Sequence, residues 1–178
     1  MKTVIIRAER CVGCRQCVFN CASVHTTLVP FKPRIDIILY ETKNFPNKCR
    51  HCNPAPCQKV CPTEAIYREE NFNIVLIDIE KCINCGSCAM ACPFSVIRFA
   101  TLSEGQEVAF KCDQCFFRLE QGKVPACVEV CKTGALIFED LNLYLKERAK
   151  EKIARKKTTS FEVLRNYYQQ LKEINQRG

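Results

Sequence analysis

The chain has 178 residues, a formal net charge of +8, sixteen cysteines and no tryptophan. That length fits one domain or two small ones sharing an interface, and the longest apolar runs, Ile35 to Tyr40 and Ile74 to Ile77, fall far short of the roughly 20 residues a membrane helix needs. No apolar leader, twin arginine or cleavage site precedes Cys11, so a soluble cytoplasmic protein is expected, and in that reducing compartment dense cysteine signals metal ligation rather than a disulfide scaffold.

In chain order the pattern starts with a strand, Thr3 to Ala8, and a first cysteine group, Cys11-x2-Cys14-x2-Cys17-x3-Cys21. Phe31 to Thr42, with alternating Ile35, Ile37 and Leu39, predicts an added strand. The second group is Cys49-x2-Cys52-x4-Cys57-x3-Cys61-Pro62; the segments Thr63 to Tyr67 and Ile74 to Asp78, joined through Asn71 and Asn73, then predict a hairpin. The third group is Cys82-x2-Cys85-x2-Cys88-x3-Cys92-Pro93, followed by a hairpin from Val96 to Phe99 and Glu107 to Phe110 around Gly105. The fourth is Cys112-x2-Cys115-x11-Cys127-x3-Cys131, with a closing strand over Ala135 to Phe138. From Leu141 the cysteines stop. Leu141, Tyr144, Leu145, Ala149 and Ile153 share one helix face, a break is expected at Lys157 to Ser160, where Thr159 and Glu162 make a capping box, and Phe161, Leu164, Tyr168 and Leu171 align on a second helix.

Four groups of four leave no cysteine over. Three cysteines at two-residue intervals wrap a tight loop around one 4Fe-4S cube, while a fourth, three residues on and before proline, reaches a second cube in two-cluster ferredoxins. Each group therefore needs a partner group. The hairpin between groups two and three pairs those two, and the strands that flank groups one and four pair the ends, so the expected order is nested. The ligand sets are then Cys11, Cys14, Cys17 with Cys131; Cys112, Cys115, Cys127 with Cys21; Cys49, Cys52, Cys57 with Cys92; and Cys82, Cys85, Cys88 with Cys61. Sequential pairing of one with two is the alternative.

Four 4Fe-4S clusters also change the charge. Four oxidised cubanes of about +2 each on sixteen thiolates add about −8 and bring the total to roughly zero. The basic composition is then no ground for a nucleic-acid partner. What stays basic is residues 141–178, with ten Lys/Arg against four Glu, a tail that either packs as amphipathic helices or docks on another subunit. Zinc is the competing metal, but structural zinc takes two separated cysteine pairs rather than three cysteines in close series. His25 and His51 lie close to cysteines and suit hydrogen bonds to sulfur, since the cysteine count already closes the ligand sets. Gly13 and Gly86, inside their groups, would let backbone approach a cluster. No dinucleotide fingerprint, P-loop or nucleophile-base arrangement is present, so the chain is expected to be a non-catalytic electron carrier.

Residues 1–140 resemble the four-cluster ferredoxin subunits of dimethyl sulfoxide reductase, formate dehydrogenase and hydrogenase complexes. The resemblance rests on Cys11-Val12-Gly13-Cys14-Arg15-Gln16-Cys17 with Cys21-Ala22-Ser23-Val24-His25, Cys49-Arg50-His51-Cys52 through Cys61-Pro62-Thr63, Cys82 to Pro93, Lys111-Cys112-Asp113-Gln114-Cys115, and Cys131-Lys132-Thr133-Gly134-Ala135. Within that family it is most similar to the ferredoxin-like partner of nickel carbon monoxide dehydrogenase, with hydrogenase, formate dehydrogenase and hydrogen-dependent carbon dioxide reductase subunits as rivals. The resemblance implies the nested pairing and an α+β fold of two interlocked bacterial-ferredoxin-like modules. Residues 1–48 plus 98–140 would be the outer module, 49–97 the inserted one and 141–178 a helical tail. Lys132, where the pattern has proline, and the absence of a membrane anchor are departures.

Overall fold

The structure is a computed structural model that describes residues 2–25, 31–102 and 105–176. It forms two compact units, Met1–Phe138 and Glu139–Gly178.

Unit one is built from two-stranded sheets. Strand β1 (Lys2–Ile6) pairs with the last strand, β8 (Leu136–Asp140). Between them lie three antiparallel hairpins: β2 (Ile35–Tyr40) with β3 (Lys43–Lys48), β4 (Ile66–Glu69) with β5 (Ile74–Ile77), and β6 (Arg98–Thr101) with β7 (Glu107–Phe110). The first strand stops short of Ala8 because Ala8–Arg10 winds into a 3-10 turn, and the Arg7 N–H donates to the Ala135 carbonyl at 2.7 Å. The strand expected over Phe31 to Thr42 is one arm of a hairpin. Its partner β3 contains Pro46, facing Ile37 across the ribbon, and a two-stranded ribbon tolerates proline because each of its strands is an edge.

Five short helices follow the cysteine loops: α1 (Gln16–Val24), α2 (Pro56–Lys59), α3 (Ser87–Met90), α4 (Phe116–Glu120) and α5 (Ala126–Glu129). The apolar interior is thin and contains the cysteines themselves. One core joins Val4, Ile35, Ile37 and Leu136 to Cys17, Cys21 and Cys127; another joins Ala55, Ile66, Val75, Ile97 and Ala109 to Cys57 and Cys88. With so few aliphatic side chains, what the thiols hold is part of the core.

Unit two is one helix, α6 (Leu141–Gln176), 36 residues long. Its first N–H groups at Asn142 and Leu143 are capped by Asp140 Oδ1 at 3.0 and 3.2 Å. The break expected at Lys157 to Ser160 is absent. That stretch holds no glycine or proline, and the lower helix propensity of Thr158, Thr159 and Ser160, at most about 0.7 kcal/mol each, does not interrupt a long helix. The face expected from Leu141, Leu145 and Ile153 is exposed, at 46, 53 and 57%, while the side chains of Phe161, Leu164 and Leu171 lie outside the described residues.

Candidate metal centres

Each group opens in an irregular loop and closes in or beside a short helix. The residue just before the second cysteine of every group has left-handed backbone: Gly13 (φ 74), His51 (φ 50), Asn84 (φ 56) and Gln114 (φ 57). An L-residue there costs roughly 1–2 kcal/mol, and two of these residues repay it locally. The N–H groups of His51 and Gln114 turn inward and donate to the first sulfur of their own group, Cys49 Sγ and Cys112 Sγ, both at 3.4 Å. Further N–H donors reach Cys21 Sγ from Arg34 (3.2 Å), Cys131 Sγ from Leu136 (3.3 Å) and Cys82 Sγ from Ala109 (3.4 Å). Such inward-pointing amides form a cradle for negatively charged sulfur.

Gly13 has a further justification besides the one expected. A Cβ there would meet the Asn44 side chain at 2.6 Å, whereas a Cβ on Gly86 would meet nothing within 4 Å. The first glycine makes room for the β2–β3 hairpin; the second lines the cavity of Cys61, Cys82, Cys85 and Cys88.

None of the sixteen cysteines is in a disulfide, and the structure gathers them from distant parts of the chain. Cys17 lies in the field of Cys11, Cys14 and Cys131. Cys21 lies in that of Cys112 and Cys115, and Cys127 feels all three. One cavity is lined by Cys49, Cys52, Cys57 and Cys92, and a second by Cys61, Cys82, Cys85 and Cys88, each enclosing about 340 Å³ of empty space counting the part open to solvent.

Burial first, with repulsion from neighbouring sulfurs, raises the most buried thiols, whereas hydrogen bonds lower Cys61 and the exposed Cys85. Cys17 goes to about 11, and Cys21 and Cys115 to about 12, while the buried Cys127 is driven well above the ordinary value. Four such sulfurs can be thiolates together only around a compensating cation. The donor set, soft sulfur in fours with amides aimed at it, therefore fits a 4Fe-4S cube.

The two histidines are both buried. His25 Nε2 stands 3.6 Å from Cys115 Sγ and 3.5 Å from Asp113 Oδ1, and Asp113 is also held by Arg34 at 2.6 Å. His51 Nδ1 accepts the Val75 N–H at 3.0 Å; burial, then the charges of Lys111 and Lys48, push its pKa down to about 2, so the ring is neutral. Lys48, Lys111 and Gln114 are buried at 1, 4 and 2% exposure; the sequence assigned Lys111 and Gln114 no role beyond their place in the motif from Lys111 to Cys115, and did not mark Lys48. Their only signal is position, directly before the first cysteine of groups two and four for the lysines and before the second cysteine of group four for Gln114.

Residues 40–141 match the family of 4Fe-4S dicluster domains. The chain belongs to that family. Among its curated relatives are the thiosulfate reductase electron transfer subunit PhsB of Salmonella typhi, 39% identical over 145 residues that cover 75% of this chain and 73% of the relative, and a tetrathionate reductase subunit of Salmonella typhimurium, 33% identical over 147 residues, 78% of this chain and 57% of the relative. A sulfite dehydrogenase subunit of Allochromatium vinosum is 32% identical over 167 residues, with coverage of 78% and 68%. The dicluster match begins at β2 and ends at the first residue of α6, so it takes in groups two to four and leaves group one outside. No described helix is long and apolar enough to cross a membrane.

Proposed function

We propose that the chain is the non-catalytic electron-transfer subunit of an oxidoreductase complex, holding four 4Fe-4S clusters on its sixteen cysteines in the nested ligand sets. The observation that carries this reading is the pair of cavities, each lined by three cysteines of one group and the closing cysteine of the other. Four cubanes, when bound, would each take up and release one electron.

The residues make a path for that electron. Cys17, Cys21 and Cys127 share one core, and Cys57 and Cys88 share another. Cys49 and Cys112 share a further cluster with Val96. The order of sets is then the one with Cys14, the one with Cys115, the one with Cys52 and the one with Cys85. Cys14 and Cys85, in the end sets, are exposed; Cys21, Cys112, Cys115 and Cys127 are all buried, and in the third set Cys49 and Cys57 are buried while Cys52 and Cys92 are half-buried. Charge can enter and leave at the ends, and water is kept from the second set.

For the partner, the relatives' names favour the catalytic subunit of a sulfur-oxyanion reductase or dehydrogenase over the carbon monoxide dehydrogenase expected from the sequence. A hydrogenase or formate dehydrogenase partner is equally without support from those three relatives. Anaerobic purification tests the whole proposal: about sixteen iron and sixteen sulfide per chain, four one-electron waves, and a co-purifying large subunit are expected. A colourless, sulfide-free zinc protein would refute it.

A further inference from the structure

Arg50 sits inside the second cysteine group, between Cys49 and the left-handed His51, whose N–H turns onto Cys49 Sγ at 3.4 Å. The arginine is half-buried and is held between two rings: its guanidinium carbon stands 5.7 Å from the centroid of Phe45 and 5.5 Å from that of Phe94. Phe45 comes from β3, and Phe94 follows Cys92, the closing cysteine of the third group, by two residues. Asn47, also on β3, donates from Nδ2 to the Phe94 carbonyl at 3.1 Å and ties the two sides of this clamp together. Among the described residues no carboxylate pairs with Arg50. Two aromatic faces can keep a guanidinium in place without a counter-ion, because the ring quadrupole attracts the cation and the flat group packs against the ring.

The clamp holds this cation at one set of thiols. Arg50 lines the cavity of Cys49, Cys52, Cys57 and Cys92, together with Phe94 and the ammonium-bearing Lys111. The neighbouring cavity of Cys61, Cys82, Cys85 and Cys88 is equally large, yet among the described residues its lining holds no charged side chain; Ile66, Ile77, Ile83, Asn84 and Phe99 stand there beside the cysteines. Both sets draw their cysteines from the same two groups. What distinguishes their surroundings is positive charge.

We propose that Arg50 sets the potential of the third set: clamped by Phe45 and Phe94, its charge makes that set easier to reduce than the set containing Cys85, so an electron entering at the exposed Cys85 end moves downhill toward the interior. This rests on the four-cluster reading above. A 4Fe-4S centre with four thiolates carries about −2 when oxidised and about −3 when reduced. A fixed cation beside it therefore favours the reduced form, and the uncharged lining of the other cavity gives no such help.

The test is a potentiometric titration of the intact chain read by electron paramagnetic resonance, with signals assigned through Cys52→Ser and Cys85→Ser. In the wild type the set containing Cys52 should titrate at the higher potential of the two. Arg50→Gln should lower that potential by at least about threefold in the one-electron equilibrium, about 28 mV at ~59 mV per tenfold, and leave the set containing Cys85 in place. Arg50→Lys keeps the charge on a flexible stem and should shift it less. Phe45→Leu combined with Phe94→Leu keeps the arginine but removes both faces; it should lower the same potential, more so at high salt, where a guanidinium released to water is screened. If Arg50→Gln loads only about twelve iron per chain in place of about sixteen, the double leucine variant carries the measurement. The reverse order of potentials in the wild type, an unshifted Cys52 set in the double leucine variant, equal shifts in the glutamine and lysine variants, or a shift shared equally by the Cys85 set overturns the inference. Wild-type protein without iron and sulfide overturns the four-cluster reading instead.

Discussion

Gly13→Ala separates two reasons for a glycine. The substitution puts a Cβ at φ 74, which costs roughly 1–2 kcal/mol, and also places it 2.6 Å from Asn44 Oδ1. Asn44 is half-buried on β3 and can rotate aside. Moving a side chain off its preferred rotamer costs about 0.5–1.5 kcal/mol, so the total is roughly 1.5–3.5 kcal/mol. Gly86→Ala, at φ 78 with no protein atom within 4 Å, should cost only the backbone part. In a domain of this size 1 kcal/mol moves the midpoint by roughly 2–4 °C, which gives about 3–14 °C for Gly13→Ala and about 2–8 °C for Gly86→Ala. The assay is anaerobic heating at fixed scan rate, followed by loss of cluster absorbance, because metal loss makes unfolding irreversible. Adding Asn44→Ala to Gly13→Ala should bring the midpoint to that of Gly86→Ala. The reasoning fails if Gly86→Ala is as damaging as Gly13→Ala, or if removing the Asn44 side chain restores nothing.

Stripping the metal should unfold unit one, whose cores are largely thiols; far-ultraviolet circular dichroism of chelated protein should lose its strand signal and keep part of the signal of α6. Leu136→Ala should cost about 2–5 kcal/mol and expose Cys17, Cys21 and Cys127 to alkylation first, whereas Ile66→Ala should expose Cys57 and Cys88 first; identical labelling patterns would show that the two cores do not act separately. A chain ending at Asp140 should keep the full iron content and visible spectrum of the whole protein, because α6 contributes no cysteine and its first apolar residues are exposed. Iron analysis of that truncated chain is the check.

The β4–β5 and β6–β7 hairpins were legible in the sequence because apolar runs and turn residues mark them locally, as in Ile74 to Ile77 after Asn71 and Asn73. The cysteine groups were legible because ligation of a cube fixes spacing. The recurring left-handed residue before each second cysteine was not, since four different side chains, Gly13, His51, Asn84 and Gln114, fill one conformation. The buried lysines were hidden for a related reason. A Lys-Cys dipeptide opens groups two, three and four alike, yet the Lys81 side chain is 63% exposed and lies 3.6 Å from Asp78, and only the packing of one loop on another tells it from Lys48 and Lys111. Strand β3 was missed because Pro46 argues against a strand in any wider sheet. The break in α6 was expected from a capping pattern that nothing in the surrounding stretch requires.

The pairing of β1 with β8 also sets a timetable for biosynthesis. Strand β1 is translated well before its partner, which begins at Leu136 and at about 5–20 residues per second follows some seconds to half a minute later. All eight cysteines of the second and third groups are translated within that wait. Metal delivery would then proceed from the inside outward, with Cys11, Cys14 and Cys17 the last to be enclosed and the most open to oxygen on a nascent chain.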